Sequence, residues 1–272
     1  MRLDDAPESS NVSDDRGMGG KLAIGGGLGG VLLVVLGLIF GVDLGGVKPA
    51  AGPSAPPDQA TLEFTKKVLG TTEKVWDAQF RALGKKYRDP HLDLFSDRVR
   101  TGCGVAPAAV GPFYCPADET VYIDPTFFAE LEQRLGGSAA DFSKAYVIAH
   151  EVGHHVQKLL GYSAGAHDNQ ASVRLELMAD YLAGVWAHHA DEKYRIIEPG
   201  DVDAAIKSAQ AIGDDRLQKR SGGFVQPEKF THGTSRQRVY FFKRGLKTGD
   251  ASKATLDKFF DVPERNGELQ EF

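Results

Sequence analysis

The chain has 272 residues, with 32 basic against 37 acidic side chains and a net charge of −5. That balance, with Lys and Arg spread rather than blocked, carries no nucleic-acid signature. Setting aside an N-terminal tail, an apolar run and a linker leaves about 210 residues, enough for one well-buried core.

Residues 1–21 are polar and rich in Asp, Ser and Gly, and are expected to form a disordered tail. Residues 22–42 hold no charged side chain and are rich in Gly, Leu, Val and Ile. Such a run is long enough to cross a bilayer as one helix, and glycines are common in membrane helices. A cleaved signal peptide and a buried helix are the alternatives. The run is long for a signal peptide, however, and no small-x-small cleavage site follows it at once. We expect a retained transmembrane helix. Arg16 and Lys21 precede it and Asp43 follows. The positive-inside rule then puts the N-terminus in the cytoplasm and the large domain outside the cell membrane. Residues 43–60, rich in Gly, Pro and Ala, read as a linker.

The folded domain is expected over residues 61–272. Thr61 to about Tyr87 has helical spacing of Leu62, Phe64, Val68, Leu69, Val75, Trp76, Phe80 and Leu83. Strand signals lie between Arg98 and Asp124. Pro112 to Cys115, a turn at Pro116 to Glu119, and Thr120 to Asp124 suggest a hairpin. Two cysteines, Cys103 and Cys115, fall in this stretch. So short a loop in an exported domain reads as a disulfide, with two buried free thiols as the alternative. Pro125 can open the next helix, to about Leu135.

Ser138 or Asp141 can cap a further helix whose apolar residues run from Phe142 to Leu160, with Gly161 as its stop. Within it stands His150-Glu151-Val152-Gly153-His154. Residues i and i+4 share a helix face, so two imidazoles can hold one zinc ion (Zn2+). The neighbouring Glu151 can then act as base on a zinc-activated water. A second helix, Asn169 to about Glu192, carries Glu176 and Asp180 at the same spacing in apolar surroundings. Like charges there repel unless something positive binds them. We assign Glu176 as the third zinc ligand and Asp180 as the acceptor for a ring N–H, with His150 its expected partner. A solvated acidic stripe balanced by Arg174 is the bland alternative.

Helices are further expected over Asp201 to Ile212, Ser235 to Gly245 and Ser252 to Phe260, with a loop from Gly222 to Phe230. The total is an α+β arrangement, mostly helical with a small sheet.

H-E-x-x-H followed by E-x-x-x-D on a second helix resembles the gluzincin arrangement of thermolysin-like enzymes and of CAAX-prenyl-protease types. More closely, the chain resembles the bacterial family described as putative neutral zinc metallopeptidases. The matching segments are Cys103-Gly104, Gly111 to Pro116, Val121 to Asp124, Ala149 to Gln157, Glu176 to Asp180 and Thr231 to Ser235. They cover most of residues 60 to 260 and the layout of an N-terminal anchor. Tyr181 departs from the small or Cys residue expected there. The resemblance implies a zincin-like domain, an anchored zinc metalloendopeptidase and a peptide or protein substrate.

In such enzymes a second group stabilises the oxyanion. His232, in the small-residue loop Thr231 to Ser235, is the candidate; a surface-loop histidine is the alternative. Arg238 can orient that loop, bind a substrate carbonyl or carboxylate, or serve as an ordinary ion-pair partner. His155 lies about 100° round the helix from His154 and is expected to be structural. His188 and His189 are expected on the surface at a helix end, and His91 and His167 in loops. Tyr122 lies in a strand that, if it borders the cleft, could receive an extended substrate. The competing readings are a noncatalytic zinc-stabilised binding module tethered at the membrane, and a zinc hydrolase of another amide.

Overall fold

Asp58 begins the first long helix by accepting from the backbone N–H of Ala60, and that helix, α1, runs Gln59–Ala82. The computed structural model describes residues 1–16, 58–163, 169–220, 226, 229–265 and 268–272. The further helices are α2 (Thr126–Gln133), α3 (Asp141–Leu160), α4 (Asn169–Tyr194), α5 (Asp201–Ala211), α6 (Asp214–Arg220), α7 (Ser235–Thr248) and α8 (Lys253–Asp261). The helices expected over residues 61–260 are all present, although Leu83 to Tyr87 fall outside α1, and α6 is an addition. With several Asp, Lys and Arg side chains and one Leu over seven residues, α6 gives almost no apolar period to read.

One α-helical layer forms most of the core. Buried side chains of α3 and α4, among them Phe142, Tyr146, Val152, Leu182 and Trp186, pack with Phe241 and Phe242 of α7 and with Val68, Leu69 and Trp76 of α1. Trp186 also donates its indole N–H to Thr71 Oγ1 of α1. The stop at Gly161 is as expected, with φ of 89°. The start is not: Ala140 occupies the N-cap position without a side-chain bond, and Asp141 sits in the first turn.

The sheet lies against this layer. Its strands are β1 (Val12–Asp14), β2 (His91–Leu94), β6 (Thr120–Ile123) and β5 (Phe113–Cys115), in that order. The first two pairings are parallel, and β5–β6 is the antiparallel hairpin expected from Pro112 to Asp124. A separate hairpin, β3 (Arg98–Thr101) with β4 (Gly104–Pro107), covers a small second core around Phe95, Val110, Phe113 and Tyr122. Cys103 in its turn is bonded to Cys115 at the end of β5, so the free-thiol alternative falls. Two short strands, β7 (Glu264–Arg265) and β8 (Glu268–Leu269), pair near the C-terminus.

The N-terminal expectation needs correction. Residues 1–16 are not a disordered tail: β1 adds to the sheet edge, and Met1, Leu3 and Val12 pack against the main core. Polar composition concealed this, because the order comes from contacts with distant residues. The expected transmembrane helix at residues 22–42, most of the linker and His167 lie outside the described residues. Among the described residues, no helix is long and apolar enough to cross a membrane.

Candidate metal centre

The site is made where α3 and α4 cross. Gly153 permits that crossing: a Cβ there would lie 3.2 Å from the Cα and carbonyl oxygen of Ala179. Its place between His150 and His154 brings their helix face close enough to α4 for Glu176 to reach both rings. Nε2 of His150 lies 3.1 Å from Glu176 Oε2, and Nε2 of His154 lies 3.4 Å from Glu176 Oε1.

The outer hydrogen bonds fix the tautomers. His150 Nδ1 faces Asp180 Oδ1 at 3.0 Å, and an ionised carboxylate can only accept. His154 Nδ1 faces Gln157 Oε1 at 2.9 Å, while the Gln157 amide N–H donates to the Leu175 carbonyl at 2.6 Å. Each Nδ1 therefore carries the proton, and each Nε2 turns a lone pair toward the Glu176 carboxylate. Three acceptors converging within 4.8 Å need a cation or added protons between them. Two imidazoles and one carboxylate are a donor set suited to zinc. The residues present fit the ion.

Asp180 is fully buried and serves several donors at once. Tyr146 donates its hydroxyl to Oδ1 at 2.5 Å, and Arg238 donates Nε to Oδ2 at 2.8 Å and Nη2 to Oδ1 at 3.1 Å. Burial opposes ionisation of Asp180, yet Arg238 and then His150 hold its pKa below the usual carboxylate range. Burial likewise opposes charge on His150, but Asp180 and Glu176 outweigh it and pull the pKa up to about 10. For Glu176, burial is again overcome, here by His154 and His232, and the pKa falls well below the ordinary value. The solvated-stripe alternative fails, because Asp180 is fully buried against Arg238 and Glu176 faces both histidine rings.

A model of the family described as "Putative neutral zinc metallopeptidase" matches residues 1–259. The chain belongs to that family. It is also similar to the uncharacterized protein YpfJ of Escherichia coli K12, at 43% identity over 93% of this chain and 97% of the relative. The uncharacterized protein Rv2575 of Mycobacterium tuberculosis H37Rv is 43% identical over 68% of this chain and 67% of its own length. No solved structure matches.

In this family member the His-Glu-His-Glu constellation opens on a cleft of about 550 Å³ that also includes Tyr146, His232 and Arg238. Glu151 is 8% exposed, and burial raises its pKa. Apolar walls come from Val110, Phe113, Phe127, Val147, Ile212 and Leu217. His232 reaches the cleft as expected, on a loop held by a residue that sequence reasoning missed. Asp214 Oδ2 accepts from the backbone N–H of Thr231, His232 and Gly233 at 2.7, 2.7 and 3.0 Å. Its Oδ1 lies 3.4 Å from His232 Nδ1. Burial disfavours charge on His232, but Glu176 and Asp214 together raise its pKa. Arg238 is the ion-pair partner of Asp180 and is 2% exposed, which fits holding the ligand helix better than gripping a substrate.

Gln157, too, was missed, although its place three residues after a candidate ligand put it in reach of that ring. The strand bordering the cleft is β5, contributing Phe113 and Tyr114, and not the strand of Tyr122, which lies inside the sheet with its hydroxyl on Asp118. His155 sits apart from the ligands. Its Nε2–H donates to the Arg88 carbonyl at 2.7 Å, and its Nδ1 accepts from the Tyr114 hydroxyl at 2.8 Å. Burial holds it below the usual histidine pKa. His91 is in β2 rather than a loop. His188 and His189 are half-buried, bonded to the carbonyls of Leu246 and Gly249.

Proposed function

We propose that this chain is a zinc-dependent endopeptidase of the gluzincin type, with His150, His154 and Glu176 as metal ligands and Glu151 as general base. The observation that carries the reading is the sharing of one cleft by the three convergent donors and a buried carboxylate one residue from the first of them. Zinc, when bound, acidifies water and polarises a carbonyl, which is the chemistry hydrolysis of an amide needs. Glu151 takes the proton of the attacking water and delivers it to the leaving nitrogen. Burial raises its pKa, which favours its taking up that proton. His232, which lines the cleft beside Asp214, donates to the developing oxyanion. Asp180 and Gln157 hold the two ligand rings in one tautomer, and Asp214 holds the His232 loop.

The terminal strand β5 is the proposed track for an extended peptide, whose side chains would meet the apolar walls of the cleft. The disulfide favours an oxidising, extracytoplasmic compartment. The uncharged run at residues 22–42 supports attachment to a lipid bilayer.

The test compares wild type with Glu151→Gln for bound zinc and for cleavage of an unstructured protein. We expect about one zinc in each, and a loss of roughly 10²- to 10⁴-fold in cleavage by the variant. Equal cleavage by both proteins, or zinc-loaded wild type that cleaves no offered polypeptide, would overturn the peptidase reading.

A further inference from the structure

Helix α1 contains two residues whose identities make sense only against the N-terminal segment. Gly70 stands in the helix interior, where glycine costs about 1 kcal/mol relative to alanine. A Cβ at that position would fall 2.2 Å from the Pro7 carbonyl oxygen, so the backbone of residues 7–8 lies directly on the helix there. One turn on, Glu73 is buried, and it accepts from Ser9 Oγ at 2.5 Å and from Asn11 Nδ2 at 2.8 Å. Further bonds run along the whole segment. Arg2 N donates to Ile196 O at 3.0 Å, Ser9 N to Lys66 O at 3.0 Å, and Asp15 N to Leu94 O at 2.8 Å. The family match begins at residue 1 and so includes this segment.

The last described residue of the segment closes a clasp. Arg16 is 7% exposed; it pairs with Asp14 and donates Nη2 to the Asp58 carbonyl at 3.1 Å. Residues 16 and 58 thus touch, so the two residues that flank the stretch 17–57 meet at one place on the domain. The uncharged run within that stretch, residues 22–42, is long enough for one crossing of a bilayer and about half of what two crossings need. One crossing would carry residues 1–16 away from the sheet that holds them.

We infer that residues 1–16 and 58–272 lie on the same side of the membrane to which the chain attaches. This rests on the reading of residues 22–42 as a membrane-attachment segment, and it replaces the expected cytoplasmic N-terminus.

The test uses the full chain in sealed, right-side-out membrane vesicles. Single cysteines are introduced at two exposed positions, Ser10→Cys and Lys243→Cys, with a membrane-impermeant maleimide as probe. The native cysteines are bonded to each other. Equal labelling of both sites, before and after permeabilisation, is expected. Labelling of one site only until the vesicles are opened would overturn the inference while leaving membrane attachment intact. Recovery of the chain in the supernatant would remove the membrane reading and the inference together.

Discussion

At the scale of single residues, the proposed site depends on a buried pair of opposite charges. Asp180 and Arg238 are 0% and 2% exposed, and removing one charge strands the other. Breaking such a buried pair costs about 3–5 kcal/mol. Asp180→Asn is therefore expected to lower the melting temperature by several degrees and to weaken zinc affinity about 10- to 100-fold, because the His150 N–H loses its charged acceptor. Thermal melts and competition with a zinc chelator measure the two effects separately. Asp93 offers a test of acid–base linkage. Burial raises its pKa from 3.8 to about 6 against the Ser13 bond. The folded state then holds a proton between pH 4 and 6 that the unfolded chain has released. This group's contribution to stability falls as pH rises through that window, with a slope bounded by one proton, or ~1.4 kcal/mol per pH unit. Denaturant melts of Asp93→Asn between pH 4 and 8 should show this part of the slope gone.

At the scale of elements, helical period made the candidate ligand set readable. Positions 150, 154, 176 and 180 are paired by the 3.6-residue turn, so their convergence needed only that two helices meet. Asp214 had no such signal, because its role arises from a loop brought to it from residues 231–233. The parallel strands β1 and β2 were equally hidden: their partners are remote in sequence, and neither has a long apolar run. Gly70→Ala puts the N-terminal segment to the test. The substitution should favour helix α1 by about 1 kcal/mol while expelling residues 7–8 from its surface. Faster amide exchange at Ser9 and Asp15, with the amides of α3 and α4 unaffected, is expected in hydrogen-exchange measurements. Protection equal to wild type would show that the helix gives way instead. The Cys103–Cys115 bond ties one hairpin to the cleft strand across a separation of 12 residues. Closing so short a loop stabilises by about 3 kcal/mol, and the double Ala variant should melt lower by a matching amount.

At the scale of the whole molecule, the proposed metal position is a junction of elements, since α3, α4 and the loop before α7 all reach it. Chelation should therefore lower the melting temperature of wild type as well as abolish cleavage, and added zinc should restore both. A melting curve with and without chelator checks this, and an unchanged midpoint would mean that the junction holds without the ion. The helix α3 also has two working faces. One carries His150 and His154; another carries His155, whose ring clamps Tyr114 of the cleft strand and the carbonyl of Arg88. A single helix thus sets the spacing between the proposed hydrolytic centre and the proposed substrate track. Breathing of the domain would carry the two together, as the jaw and anvil of a vice share one frame, so alignment for attack would survive motions that open the rest of the cleft.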